Sequence, residues 1–434
     1  MILIKKYVKS NSFLYLIIAM TCLLFACLLN DYDYDLYARL IVGEYFFKTG
    51  WITSKDFLSY TPTHVWYDHE WGSSVVFYTF YKLFGNFGLI LVQSITMFFT
   101  AFFVIKTQKL QEKAYPVSIF FILTFLLLYI HQNPSIVRCH MFSFMFFSML
   151  LYFLEKTRLK NSNILWLMLP ITVIWNNLHG GVVSGLGIIF LYAIGEFISK
   201  KPFKKYILVF TLSSILLLIN PYGYEYLSFL ISANTKSRIY ITEWMSVFAN
   251  RHILYYFTIF FIGVLSLILA LDKFIKKRKI EVTRTLILIT TIILGMQHVK
   301  LLSLTLITTF ALFYNEICRI FNKNIIKFLN KLTLLIMFVA IFGIPFTQPQ
   351  IARTQIYKYP VKEVEFLKIN NIKGNILTQF GLGSYVSYKL YPNNLIYMDG
   401  RYEEVYDDEI FDNLKEFELV SKDWDTVLTK YKTD

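Results

Sequence analysis

Eleven apolar runs divide this chain, and they constrain its fold more than any other feature. A helix rises about 1.5 Å per residue, so about 20 apolar residues cross the roughly 30 Å hydrocarbon layer of a membrane. We therefore predict an all-α polytopic membrane domain, over residues 1–345, with about eleven transmembrane helices. The runs cover 13–29, 87–105, 116–130, 141–154, 163–176, 181–198, 205–219, 253–271, 284–297, 301–318 and 328–345.

Composition agrees with this class, since 56% of the residues are hydrophobic and 17% are charged. A soluble domain has about a quarter of its residues charged. The net charge of +14 does not indicate a nucleic-acid partner, because the basic residues cluster in every second connection between apolar runs, beginning with Lys5, Lys6 and Lys9. Such loops are cytoplasmic, so we expect the N-terminus inside and, with an odd number of spans, residues 346–434 outside.

The loop at 30–86 follows the first run and faces outside in this topology. It opens with Asp33-Tyr34-Asp35. Two carboxylates at this spacing can share a divalent cation such as Mg²⁺ or Mn²⁺, or one can act as a general base that the other orients. A solvated acidic loop is the alternative. Asp33 and Asp35 are therefore the candidate catalytic residues and the candidate metal ligands.

Other polar and aromatic residues also gather at the predicted outer ends of the apolar runs, where all seven histidines lie, including His131. Cations there suit a phosphate at headgroup depth, although Lys and Arg also snorkel to lipid phosphates, and acidic residues before 71–83 also favour a helix start. Because these ionisable residues lie at one end of the runs, a transporter is disfavoured. The candidate substrate-binding residues are Asp56, Trp66, Asp68, His69, Glu70, Trp71, Arg138, His140, Asn177, His179, Glu243, Trp244, His298 and Lys300.

Residues 346–434 change in character, with shorter apolar runs and interspersed charges. Helical spacing over 360–370, a strand in NILTQF, a Gly-initiated helix, a strand in NLIYMDGR and a further helical region predict an extracytoplasmic α/β domain with a parallel strand pair. The chain stops after a helical segment where another strand would be expected, so we expect an incomplete sheet. The pair Asp399 and Arg401 at the second strand's end favours either a ligand site or a local salt bridge.

Taken together, these motifs resemble a family of bacterial multispan proteins related to the GT-C glycosyltransferases. The family's first outer loop has the form DxDlwwHlrxG, then DxfSyT, then WxxxEW; the corresponding residues here include Asp33, Asp35 and Gly43. Tyr37, Ala38 and Arg39 stand where the family has Trp, Trp and His, and Cys139 stands where it often has Pro. The further matches are Asp56, Ser59, Tyr60, Thr61, Trp66, Glu70, Trp71, Arg138, Phe142, Ser143, Trp175, Asn177, His179, Gly180, Gly181, Asn220, Pro221, Gly223, Glu243, Trp244, Gly383, Asp399, Gly400 and Arg401.

The resemblance implies an inverting glycosyltransferase of the bacterial cytoplasmic membrane that works on the outer face. It would take a sugar from a polyprenyl-phosphate donor and transfer it to a glycan, lipid or protein acceptor in cell-envelope or cell-surface polysaccharide assembly. In that reaction Asp33 or Asp35 would deprotonate the acceptor or hold a cation. Arg138, His179 and Lys300 would neutralise the phosphate. Three tryptophans would shape the sugar pocket, namely Trp66, Trp71 and Trp244.

Three other functions stay open at this point. A lipid-linked glycan polymerase or ligase uses the same kind of substrate on the same face. A flippase would need ionisable residues near mid-bilayer and repeated halves. A non-catalytic partner in glycan assembly would tolerate asparagine at Asp33 and Asp35, which an enzyme would not.

Overall fold

The computed structural model describes residues 11–28, 31–110, 117–130, 136–235, 241–250, 252–276, 279–343, 358–421 and 423–434, and these are mostly helical. Lys5, Lys6, Lys9 and His131 lie outside the described residues, as does the segment 344–357 at the predicted domain boundary. The helices are α1 Asn11–Leu28, α2 Leu36–Thr49, α3 Trp71–Phe84, α4 Asn86–Gln108, α5 Ile119–Ile130, α6 His140–Lys160, α7 Met168–Leu178, α8 Val182–Ile198, α9 Lys204–Leu216, α10 Glu225–Thr235, α11 Val247–Asn250, α12 Ile253–Ile275, α13 Val282–Gln297, α14 Leu302–Leu312, α15 Tyr314–Ile320, α16 Lys323–Gly343, α17 Val361–Ile369, α18 Gly383–Leu390, α19 Asp408–Leu419 and α20 Thr426–Thr429. The strands are β1 Asp31–Tyr32, β2 Ile136–Val137, β3 Gly374–Ile376 and β4 Asn394–Ile396.

Each predicted apolar run falls on helix, but fewer of these helices are both long enough and apolar enough to cross a membrane. Among the described residues, two meet that requirement, Asn86–Gln108 and Ile253–Leu271. The segments Val299–Leu312 and Tyr314–Ile320, with a bend of 68° between them, would form a third span if together they make one broken crossing. Other apolar helices are shorter, such as Ile119–Ile130. The chain therefore has helices fit to cross a membrane, and eleven crossings stay a prediction.

Helix α6 connects two separate clusters of charge. Its 21 residues extend about 30 Å at the usual rise per residue. Arg138 precedes its first turn, and Glu155 lies buried near its last turn. There Glu155 accepts hydrogen bonds from Arg158 (2.9 Å) and Arg284 (2.5 Å), and Tyr192 donates to the same carboxylate (3.0 Å).

This second cluster changes one expectation from the sequence. Ionisable residues were expected to gather at one end of the helices, but a buried ion-pair network lies at the other end as well. Arg158 also pairs with Glu281 at 2.8 Å, and Thr283 donates to Glu196 at 2.7 Å. The network joins the ends of α6, α8 and α13. Ionisable residues therefore lie at both ends of the helices. Their predicted restriction to one end no longer argues against a transporter.

Helices α2 and α3 build a helical hairpin within the loop at 30–86. They pack closely because Gly43 has no side chain: a Cβ there would lie 2.5 Å from Cβ of Tyr78. Helix α2 ends at Gly50, whose left-handed backbone (φ 73°) lets its N–H bond to the carbonyl of Phe46 at 2.8 Å. The hairpin holds the acidic segment before Leu36 over the ends of the longer helices.

The predicted parallel strand pair is present in the tail, where β3 pairs with β4 in parallel. The outer loop extends this sheet, because Ile396 donates its N–H to Leu58 and Tyr60 donates to Ile396. On the far edge, Asp434 donates its N–H to the carbonyl of Asn375 (3.1 Å), so the last residues of the chain lie where a further strand was expected.

One hydrophobic core joins the tail to the loop at 30–86. Ile41 and Leu58 of the loop pack with Tyr397, Val405 and other tail residues in a single buried cluster. The predicted division at 345 and 346 therefore separates two segments of sequence whose side chains share a core. The tail covers this loop and is part of the structure that positions it.

Candidate active site

A short strand pairing brings the acidic segment beside Arg138. Strand β1 pairs with β2 in parallel, with Asp31 opposite Ile136 and Tyr32 opposite Val137. The residues that follow parallel strands emerge at the same edge. Asp33, Asp35 and Arg138 therefore meet although about a hundred residues separate them along the chain.

Arg138 bridges three carboxylates. It donates to Asp35 Oδ2 at 2.9 Å and to Glu243 Oε2 at 2.5 Å, and Asp33 Oδ2 lies 3.7 Å from its guanidinium. Asp35 precedes helix α2 but makes no capping hydrogen bond with its side chain, which is 25% exposed. Burial and the like charge of Asp33 raise the pKa of Asp35 well above its ordinary value, although Arg138 opposes the shift. A carboxylate of this kind suits a general base.

The two aspartates predicted as metal ligands lie against a cationic side chain of the protein itself. Divalent cations such as Mg²⁺ take several oxygen ligands in a near-octahedral arrangement. Here the guanidinium of Arg138 lies against Asp33 and Asp35, in the position that a cation between them would take. Among the described residues, no group of three or more His, Cys, Asp or Glu side chains is placed to hold a metal ion. We therefore assign no metal-dependent step, and a metal site at Asp33 and Asp35 stays a prediction.

A turn around Trp244 places cations beside Glu243. His298 donates from Nδ1 to the carbonyl of Trp244 at 2.7 Å, and Lys300 Nζ lies 3.3 Å from the centroid of the Trp244 ring. Burial acts to raise the pKa of Glu243, but Arg138 and Lys300 outweigh it and lower that pKa. In this corner of the site, an anionic ligand would contact the ammonium of Lys300 and the half-buried indole of Trp244.

His140 also faces this part of the site. Its Nε2 is buried and has no hydrogen-bond partner among the described residues, and its ring packs on Phe144 with centroids 5.1 Å apart. A buried ring nitrogen without a partner is costly, so it is a natural contact point for a polar ligand. Its position at the start of α6 agrees with the predicted outer cluster.

Two histidines and two glutamates form a chain beside the aspartates. Glu70 Oε1 lies 3.5 Å from Nε2 of His179 and 3.7 Å from Nε2 of His69. Nδ1 of His69 in turn lies 3.2 Å from Glu404 of the tail. Burial acts to raise the pKa of Glu70, but His69, Arg39 and His179 lower it to about 2.

Glu404 has the opposite shift. Burial raises its pKa to about 7, and the neighbouring charges of Glu70 and Asp68 add to that effect, while His69 and Arg39 oppose it. Glu404 can therefore carry a proton near neutral pH while Glu70, which is linked to it through His69, is ionised. Glu404 was not among the predicted site residues, although an acidic pair, Glu403 and Glu404, follows Asp399 in the sequence.

Local contacts fix the tautomer of His179. Its Nδ1 accepts the backbone N–H of Gly181 at 2.9 Å, and Ser143 Oγ lies 2.8 Å away. Ser143 Oγ also accepts the indole N–H of Trp175 at 2.7 Å. The neutral ring therefore carries its proton on Nε2, which faces Glu70.

Lowering the pH is expected to destabilise the protein through His179. Burial lowers the pKa of His179 to about 3, from an ordinary value of 6.5. Between these values the unfolded chain binds a proton that the folded protein does not, so the free energy of unfolding falls as the pH falls below about 6.5. The thermal unfolding temperature of wild type should then drop more steeply between about pH 7 and pH 5 than that of His179→Asn.

The exposed His252 supplies the control for this experiment. His252→Asn should keep the wild-type dependence on pH, since only the exposed ring is changed. Equal slopes for wild type and His179→Asn would show that the buried imidazole does not carry the effect.

Arg39, which stands where the resemblance implied a histidine, is buried. Its guanidinium pairs with Asp68 and lies 3.8 Å from Glu70. Asp68 is 1% exposed and also accepts the backbone N–H of Glu70 at 2.9 Å. Asp68 therefore fixes the loop and Arg39 supplies a permanent positive charge beneath Glu70.

Trp71 and Asn177 connect helices. The indole of Trp71 donates to Asn177 at 2.9 Å, and the amide of Asn177 donates to the carbonyls of Val173 (2.8 Å) and Ile219 (2.9 Å). These contacts use the polar groups of both side chains. The two predicted substrate contacts hold α3, α7 and the end of α9 together.

The motif around Asp56 is bound to the tail. Arg401 donates to Asp399 at 2.8 Å, to Asp56 at 2.5 Å and to Tyr406 at 3.1 Å. Tyr406 and Ser59 share a further hydrogen bond of 2.6 Å. The side chains of Arg401 and Asp56 are each 1% exposed. The Asp399 and Arg401 pair is therefore a buried salt bridge, and Asp56 is its third member.

Trp66 lies in the same network. It is fully buried, with the guanidinium carbons of Arg401 and Arg39 at 4.8 and 5.8 Å from its ring. Its indole N–H donates to Glu404 at 3.3 Å. Trp66 therefore has no face open to a sugar, and this placement differs from the predicted pocket.

The structure thus separates the predicted residues into two sets. One set meets around the aspartates and consists of Asp33, Asp35, His69, Glu70, Arg138, His140, His179, Glu243, Trp244, His298 and Lys300. The other set holds the loop, helices and tail together and consists of Asp56, Trp66, Asp68, Trp71 and Asn177. Arg138 differs from its predicted role, because it binds carboxylates where a phosphate was expected.

The chain matches no protein-family model, and comparisons with curated proteins and with solved structures find no match. The resemblance to the GT-C-related family therefore stays a prediction that rests on the sequence motifs.

Proposed function

We propose that the protein is an integral-membrane glycosyltransferase that moves a sugar from a polyprenyl-phosphate donor to an acceptor on the outer face of the bacterial cytoplasmic membrane. In this proposal the chain crosses the membrane about eleven times with its N-terminus inside. The observation that carries the proposal is the state of Asp35. Its partly exposed carboxylate makes no capping hydrogen bond, and burial together with the charge of Asp33 raises its pKa above the ordinary value.

Asp35 would act as the base in a single displacement. The acceptor hydroxyl gives its proton to the carboxylate and its oxygen attacks the anomeric carbon of the donor. The bond from that carbon to the phosphate oxygen breaks, the anomeric configuration inverts, and polyprenyl phosphate leaves with the electron pair. Asp33 supports the base by accepting the backbone N–H of Asp35 at 2.8 Å, and Arg138 holds the carboxylate from the other side.

The departing phosphate would lie at the corner formed by Lys300 and Trp244. Lys300 supplies the charge, and the indole supplies a flat face for a sugar ring. His140, with its buried and unpartnered Nε2, lies among the neighbouring groups. Arg138 is already bonded to Asp35 and Glu243, so its role in this proposal is to hold the base.

Transfer of a labelled sugar in proteoliposomes tests the proposal. A panel of polyprenyl-phosphate sugars serves as donor, and extracted envelope lipids and glycans serve as acceptors. We expect label in the acceptor fraction with wild-type protein, and the same assay with a chelator decides the metal requirement. Absence of transfer from every donor would contradict the proposal and favour transport or a non-catalytic role.

Replacing Lys300 should weaken the binding of donor. A charge-assisted hydrogen bond to phosphate contributes about 1.5–3 kcal/mol, so Lys300→Gln should raise KM for the lipid donor by about tenfold to a hundredfold with a smaller change in kcat. Lys204→Gln serves as the control, because that exposed lysine begins α9 at the opposite end of the helices. Unchanged KM in Lys300→Gln would remove the phosphate from this corner.

A further inference from the structure

Gly400 of the tail lies directly against the side chain of Asp35. A Cβ built on Gly400 would lie 3.0 Å from Cγ of Asp35 and well inside van der Waals contact with its Oδ1. Gly400 does not have a positive φ, so its backbone conformation does not require glycine. The requirement is steric, because any side chain would take the place of the carboxylate oxygen.

The turn that carries Gly400 is held from several sides. Arg401 bonds to Asp399 and, across the loop, to Asp56. Gly383, at the start of α18, packs so closely that a Cβ there would lie 2.9 Å from Cβ of Asp399. Tyr402 donates its backbone N–H to the carbonyl of Asp399 at 3.3 Å. The turn cannot move away from Asp35 without breaking buried ion pairs.

The opposite side of Asp35 is equally constrained. Arg138 holds Oδ2 at 2.9 Å, and the backbone N–H of Asp35 bonds to Asp33 at 2.8 Å. The carboxylate therefore lies between a guanidinium on one side and the backbone of Gly400 on the other. Two fixed surfaces leave the side chain little freedom to rotate.

We propose that the turn Asp399 to Arg401 is a positioning element of the active site, and that Gly400 sets the orientation of Asp35. This proposal rests on the function proposed above for Asp35. It gives the tail a direct part in the reaction, through a contact that the two motifs at Asp56 and at Asp399 hold in place. Gly400 itself is a positioning residue and touches no substrate.

A double-mutant cycle tests the contact without any assay of activity. Gly400→Ala should lower the thermal unfolding temperature of the wild-type protein by several degrees, because the new methyl group overlaps the carboxylate. In an Asp35→Ala background the oxygen is absent, so the same change should have little effect. Equal losses in the two backgrounds would show that Gly400 does not contact Asp35.

Kinetics then test the positioning role. Gly400→Ala should lower kcat by on the order of a hundredfold, as expected for a displaced reacting group, while KM for the donor stays near wild type. Gly187→Ala is the matched control: a Cβ built on this glycine of α8 would meet no atom of the described residues within 4 Å. That variant should stay within about twofold of wild type.

The outcomes separate this inference from the proposed function. If wild type transfers sugar and Gly400→Ala does so at the same rate, the turn does not position the base. If wild type shows no transfer, the glycosyltransferase proposal fails, and the positioning of a catalytic base fails with it. The cycle still reports in that case whether the tail fixes the side chain of Asp35.

Discussion

Replacing Asp35 with asparagine is expected to lower the rate of sugar transfer by about 10²- to 10⁴-fold, the usual contribution of a general base. Asparagine has nearly the same shape and keeps an oxygen that can accept from Arg138, whose bond to Asp35 is 2.9 Å. It cannot take a proton from the acceptor hydroxyl. The measurement is transfer of labelled sugar in proteoliposomes, with kcat and KM determined separately.

Two companion variants make this result specific. Asp412→Asn removes an exposed carboxylate on α19 and should leave turnover unchanged. Asp33→Asn should have a smaller effect than Asp35→Asn, because Asp33 supports the backbone of Asp35 and does not take the proton. Full activity in Asp35→Asn would refute the role of Asp35 as the base and favour a non-catalytic role in glycan assembly.

Removing the charge of Arg401 is expected to have the largest effect on stability. Arg401→Leu leaves Asp56 and Asp399 buried beside each other without a cation, with side chains that are 1% and 0% exposed. Breaking a buried ion pair by deleting one partner costs about 3–5 kcal/mol. Because this residue joins the tail to the outer loop, we expect the tail to detach before the remaining helices unfold.

Limited proteolysis and thermal unfolding in detergent measure this effect together. In Arg401→Leu, cleavage within 358–434 should become much faster than in wild type, and unfolding of the tail should begin at lower temperature. Lys415→Ala breaks an exposed pair with Glu418 and should cost less than about 1 kcal/mol. If Arg401→Leu resists protease as well as wild type does, the tail is held by its apolar core alone.

Local patterns in the sequence located the helices well. Each apolar run fell on a helix, from Asn11–Leu28 to Lys323–Gly343, because continuous burial or lipid contact requires apolar side chains over the whole length of a helix. The strand pair of the tail followed from short apolar segments bounded by turn residues. Asp33, Arg138 and Glu243 were all expected on the outer side of the membrane, but the ion pairs that join them were not predicted.

The same patterns misjudged which residues face a ligand. Trp66 and Asp56 belong to motifs typical of a functional loop, yet both are buried against Arg401. The patterns also missed a buried charge: Glu155, near the end of α6, was not predicted to matter, although it accepts hydrogen bonds from two arginines. A buried ion pair and a ligand-binding charge have the same sequence signature, since each needs an isolated charged residue in an apolar setting.

The sequence by itself determined where the helices lie, which segments are polar, and which polar residue types lie at the ends of the apolar runs. These properties depend on neighbours within one or two helical turns. Only the tertiary structure decided the partners: Asp35 meets Arg138 across 103 residues, and Asp56 meets Arg401 across 345. An ion pair forms wherever folding brings two charges together, and no local periodicity records that meeting.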